Sequence, residues 1–147
     1  MVRSVLAERL GRSRLRSLHP PRERPDVSIL LDVDAEYRRR SEAGQLTTIA
    51  PRRFNPEGAA WLPILHTSRG PWQFTVLYSN TRQAHDLDRV RDWVVIYFQT
   101  DDLPEGQCTV VTEWRGKLAG QRVVRGREAE CLAQKDQAPQ QVAGAVA

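Results

Sequence analysis

Two histidines and one glutamate are the side chains best suited to acid–base chemistry. His66 in "LHTSRG" and His85 in "SNTRQAH" carry ring nitrogens that can take a proton, with Thr67 or Ser79 close by in sequence as a hydroxyl nucleophile. Glu113 adds a carboxylate four residues before Lys117. Brought into one pocket, these groups would suit a phosphodiesterase-like hydrolase acting on nucleic acid. No spacing ties them together, and the E-x-x-x-K interval is not the E-x-K that metal-dependent nuclease folds often use. Their plainer reading is as caps, turn formers and half-buried polar residues. Asp86, Asp88 and Asp92 surround a short predicted helix and read as capping and solubilising groups.

A second constellation is basic. "RGKLAGQRVVRGRE" places Arg115, Lys117, Arg122, Arg125 and Arg127 before its first acid, and Arg52 and Arg53 add a pair upstream. Guanidinium forks match phosphate oxygens, and such contacts give a salt-sensitive affinity that is blind to base sequence. In a strand, Arg122 and Val124 share one face while Val123 and Arg125 share the other. A regular strand therefore divides these charges. The plainer reading is a solvated hairpin face with ion pairs to Glu113 and Glu128. Trp61, Trp72, Trp93 and Trp114 fall in or at the ends of predicted strands, where packing is their first role and base stacking their second.

Composition limits the field. The chain has 147 residues and a formal net charge of +4, enough for one domain with tails. No apolar run is long enough to span a bilayer, and the N-terminus lacks the apolar core of an export signal. Cys108 and Cys131 form no C-x-x-C pair, so reduced thiols in a cytoplasmic setting are expected. Three scattered histidines show no metal-ligand spacing, and neither metal nor cofactor is expected. Only Lys117 and Lys135 are lysine, and this arginine bias makes the location of charge more telling than its total.

The elements that must position these groups form an α+β domain. Residues 1–24 read as a basic helix remnant followed by a proline- and arginine-rich linker. Residues 25–131 form the compact domain, and 132–147 a disordered tail. A helix over 26–44 leads, capped by Asp26 or Ser28 and closed at Gly44, with Leu46 returning to it. A small, mostly antiparallel sheet of four to five strands follows. "AWLPILHTS" and "WQFTVLYS" flank a turn at "RGP". A short helix between the second and third strands takes Asn80 as its N-cap and Gln83 in the capping box. "DWVVIYFQT" reads as a central strand buried on both faces. "QCTVVTEW" and "GQRVVRG" complete the sheet, and "EAECLAQ" adds a helical turn. Pro51 and Pro56 keep "TTIAPRRFNPEG" out of any central strand.

"LLDVDAEYRRRSEAGQLTTIAPRRFNPEGAAWLPILHT", with "LYSNTRQAH", "RDWVVIYF" and "GQCTVVTEWRGKLAGQRVVRGREAEC", resembles the C-terminal half of bacterial helix-hairpin-helix DNA-binding proteins. The N-terminal half of those proteins looks like the helix-hairpin-helix portion of X-family, polymerase-beta-like DNA polymerases. The resemblance implies a role in DNA repair or replication, with DNA as partner, and assigns no role to individual residues of this half. "VRSVLAERLGR" would be the last helix of the upstream module, so the chain reads as a shortened form lacking the hairpins themselves. The expectation is a non-catalytic accessory domain that contacts DNA phosphates through Arg52, Arg53, Arg115, Lys117, Arg122, Arg125 and Arg127. A hydrolase using His66, His85 and Glu113, and a protein-interaction module, are the alternatives.

Overall fold

The computed structural model describes residues 24–135; the basic helix expected before residue 24 and the tail beyond 135 lie outside the described residues. Six antiparallel strands make one sheet in sequence order: β1 Thr47–Ile49, β2 Leu62–Arg69, β3 Trp72–Tyr78, β4 Val94–Gln99, β5 Gly106–Thr112 and β6 Arg122–Val124. Helix α1, Val27–Glu42, covers one face and touches β2 through β6. A five-residue helix, α2 (Arg82–Asp86), lies in the β3–β4 connection, and helix α3 follows β6 over residues 128–135. The domain is α+β, and no helix among the described residues is long and apolar enough to cross a membrane.

Local chemistry accounts for the order. The β2–β3 hairpin turns on Gly70, whose φ of +57° suits the first central position of a two-residue turn, with Pro71 second. Trp72, Phe74, Val76 and Tyr78 alternate inward under α1, while Gln73, Thr75 and Leu77 point to the other face. Gly44, at φ +70°, ends α1 as a left-handed residue, with the Gln45 N–H donating to the Arg40 carbonyl.

Several expectations shift. The sheet gains a sixth strand because Thr47–Ile49 pairs with Leu62–Ile64 as a short edge strand, where the following Pro51 breaks no inner ladder. β4 is buried on one face only. Val95 and Tyr97, on the face away from α1, stay half-exposed. Thr81, not Asn80, caps α2, its hydroxyl accepting from the Ala84 N–H at 3.1 Å. The helical turn expected at "EAECLAQ" is α3, which spans residues 128–135 of the described chain.

The core lies between α1 and the sheet. Val27, Leu30, Val33 and Tyr37 meet Leu65, Phe74, Val76, Val94, Ile96, Val110 and Val124. Tyr37 does more than fill space. Its hydroxyl donates to the Pro63 carbonyl at 2.7 Å and accepts from the Tyr78 N–H at 2.9 Å. Pro63 and Tyr78 lie one step beyond the Ile64–Leu77 pair, so the hydroxyl splices into the β2–β3 ladder. The Tyr37 and Tyr78 rings meet edge to face with centroids 4.9 Å apart. Tyr37→Phe strips the bridge from two buried backbone groups. It is expected to cost about 1–3 kcal/mol in urea unfolding with the fold retained.

Arg69 ties the hairpin tip to α1. It pairs with Glu36 at 2.6 Å and Asp32 at 3.0 Å. The hydrogen bond from Arg69 holds the Glu36 carboxyl below its ordinary value of 4.5, against the raising effect of burial. A depressed carboxyl stabilises the fold above its unfolded pKa, and that stability is lost as pH falls through the folded value. Arg69→Gln is therefore expected to lower stability by about 1 kcal/mol at neutral pH. The gap between variant and parent should close as pH drops below 4.5, read from paired urea melts.

Candidate nucleic-acid interface

The expected basic set divides along the strand alternation. Arg122 and Val124 face α1; Val123 and Arg125 face away. Arg122 therefore points at α1, where Asp34 sits on the buried stripe with only 1% of its side chain exposed. Arg122 grips Asp34 by two hydrogen bonds, Nη2 to Oδ1 at 2.8 Å and Nε to Oδ2 at 3.2 Å. Its Nη1 reaches Asp92 Oδ1 at 3.0 Å and Thr112 Oγ1 at 3.1 Å. Asp92 in turn accepts from the Thr112 hydroxyl at 2.6 Å and the Thr112 N–H at 3.1 Å. Arg38 adds a bond to Asp34 at 3.0 Å. Arg127 is also buried, donating to the Pro25 carbonyl at 2.8 Å and pairing with Glu130 at 2.6 Å. These two arginines are spent inside the protein.

Arg115, Lys117 and Arg125 are exposed. The strand register places Arg125 beside Thr109 on the face opposite α1, its N–H donating to the Thr109 carbonyl at 2.9 Å. Its guanidinium lies 4.5 Å from the Trp93 ring centroid. A second stack sits next to it. Arg89 lies 4.9 Å from the ring centroid of Trp114, which is 60% exposed. The Trp93 N–H donates to the Arg89 carbonyl at 2.8 Å, so one turn carries a member of each stack. The 113–121 loop closes on itself, with Gly120 N–H to Glu113 O at 2.6 Å and Glu113 N–H to Gln121 O at 2.9 Å. It thereby presents Trp114, Arg115 and Lys117 outward. Two arginine–indole pairs thus meet at the 89–93 turn, and the 113–121 loop adds the exposed Arg115 and Lys117.

The acid–base candidates do not meet. His66 is exposed on the sheet, its Nδ1 3.2 Å from Thr75 Oγ1, in a shallow depression of about 540 Å³ that also includes Ser68, Gln73, Tyr97 and Glu105. His85 lines a different recess, and no lining residue is shared. Glu113 lines neither; its carboxylate accepts from the Trp114 N–H at 2.9 Å. Arg52 and Arg53 lie on the β1–β2 loop, where the Arg53 carbonyl accepts from Asn80 at 3.1 Å. Burial pushes the Cys108 thiol up to about 12, and raises that of Cys131, leaving both in the protonated, unreactive form. Among the described residues no group of three His, Cys, Asp or Glu side chains could hold a metal ion.

The interleaving "RVRDW" and "EWRGK" was the sequence signal for this surface. Arg89 carries half of it and was not among the expected residues. Arg122→Ala would strand Asp34 as a buried charge without its main partner. It is expected to destabilise the fold by about 3–5 kcal/mol in chemical denaturation, whereas Arg125→Ala should leave the unfolding midpoint nearly unchanged. Compared with known proteins, the chain matches no family model, no curated protein and no solved structure.

Proposed function

We propose that this domain binds nucleic acid, and single strands above all, through the surface formed by Trp93, Trp114, Arg89, Arg115, Lys117 and Arg125, as a non-catalytic accessory to DNA repair or replication. The observation that carries the reading is Trp114. An indole 60% exposed, backed by a guanidinium at 4.9 Å, offers a free stacking face beside cations that reach phosphates. Every base has a π-face, so stacking tolerates sequence and is worth about 1–3 kcal/mol per base. Duplex DNA hides those faces, which is why a single strand suits the surface better. The resemblance to the C-terminal half of helix-hairpin-helix DNA-binding proteins supports DNA as the ligand.

Fluorescence anisotropy with a labelled single-stranded oligonucleotide tests this. Binding should weaken steeply with salt. Trp114→Ala should lower affinity by roughly tenfold or more. Arg115→Ala and Arg125→Ala should each reduce the log–log salt slope by about 0.7, the value per phosphate contact on a single strand. Absence of binding at low salt sinks the proposal.

A further inference from the structure

Trp61 at the end of the β1–β2 loop and the β3–β4 connection border an open, shallow recess of about 610 Å³ lined by Trp61, His85, Asp88, Val90, Arg91 and Asp92. Its size is that of a small-ligand site. Two non-glycine residues of the described chain have left-handed backbone, Phe54 at φ 52° and Asp88 at φ 56°; Asp88 lines the recess and Phe54 packs on its His85. Such conformations persist only where the surroundings over-determine them. Here the surroundings do so. Asn55 staples its loop, donating to the Pro51 and Ala59 carbonyls at 2.9 Å each. Phe54 then lies against the His85 ring with centroids 4.7 Å apart.

The imidazole is fixed on a second side. Asn80 Nδ2 donates to the Arg53 carbonyl at 3.1 Å, which makes Oδ1 the atom facing His85 Nε2 at 2.6 Å. An amide oxygen only accepts, so Nε2 must carry the proton. In the tautomer with Nε2–H the other ring nitrogen, Nδ1, is an acceptor, and no described residue donates to it. Thr81 takes over the capping of α2, which leaves Asn80 free for this task.

The lining then sorts by chemistry. Trp61 supplies a half-buried π-face. Asp88 is an exposed carboxylate that accepts N–H donors, while Asp92 is already engaged by Thr112 and Arg122. Arg91 is exposed, its guanidinium 5.5 Å from the Tyr78 ring centroid, and its N–H edge is suited to phosphate. A plain hydrocarbon ring would leave the acceptors unmatched, and a bare phosphate would be repelled by Asp88. A ring with N–H donors on its edge and a phosphate attached satisfies all of them. We infer that this recess takes one nucleotide with an amino-bearing base, guanine first, since its adjacent N–H groups match a carboxylate in pairs.

The inference rests on the nucleic-acid reading above. Val90, Arg91 and Asp92 belong to the same turn as Arg89 and Trp93, so a strand lying on the tryptophan surface brings an end or an unstacked nucleotide to the recess. The full chain, labelled with ¹³C-histidine, is titrated with GMP, AMP, CMP, UMP and inorganic phosphate. The His85 ring signals, assigned with His85→Gln, are followed by NMR. GMP should give a saturable shift, UMP a weaker one, and inorganic phosphate none. Asp88→Asn suits the left-handed backbone, which asparagine tolerates, and should weaken GMP at least tenfold, as expected for a lost charged hydrogen bond. Equal responses to phosphate and GMP, or undiminished GMP affinity in Asp88→Asn, overturn the inference. If the oligonucleotide binds but no mononucleotide moves His85, the recess assignment falls and the surface stands. If GMP moves His85 but the oligonucleotide does not bind, the surface reading falls instead.

Discussion

The pairing of Asp34 with Arg122 is the constraint on which the rest of the molecule depends. A carboxylate in the middle of the buried face of α1 is tolerable only with its charge and lone pairs matched. Arg122 supplies two bonds to it from the last strand. The same guanidinium then has donors left for Asp92, and Asp92 clamps the end of β5 through Thr112. The chain of contacts therefore runs from α1, across the sheet edge, into the turn of residues 89–93. That turn carries Arg89 and Trp93. The turn that carries Arg89 and Trp93 is thus tied to α1 by an ion network running through Asp92.

The two faces of the sheet divide the labour. Under α1 the alternation is aliphatic and aromatic, relieved only by the ion network and by the Tyr37 hydroxyl spliced into the ladder. On the opposite face the register lines up half-exposed Ile64, Leu77, Val95 and Thr109, ending at Arg125. Beside it runs a polar row of His66, Thr75, Tyr97 and Gln107. On this face Val123 is buried, while His66, Gln107 and Arg125 stay exposed.

Much of this fold was legible from local signals. Gly70–Pro71 announced the hairpin, Gly44 the end of α1, and the alternation of β3 its buried face. The strand alternation also foretold that Arg122 and Arg125 would part company. What it could not tell was which side held the core. That depended on Asp34, a carboxylate on the buried face of α1 whose partner lies 88 residues away in the chain. The site was less legible for the same reason. Asn80 has the composition of a helix cap, and only the three-dimensional meeting of two loops gives it His85 and Arg53 as partners. Single-residue propensity carries no information about such encounters.

The meander itself has a kinetic consequence. Every strand pairs with the one just made, so the sheet assembles through short loop closures that cost little chain entropy. The long-range step is the return of β6 to α1. Until Arg122 arrives, Asp34 has no guanidinium from the sheet and α1 has reason to stay in water. Through Arg122 the docked helix, the last strand and the 89–93 turn share one set of contacts. Without its last strand the meander keeps five consecutive strands but leaves Asp34 without Arg122.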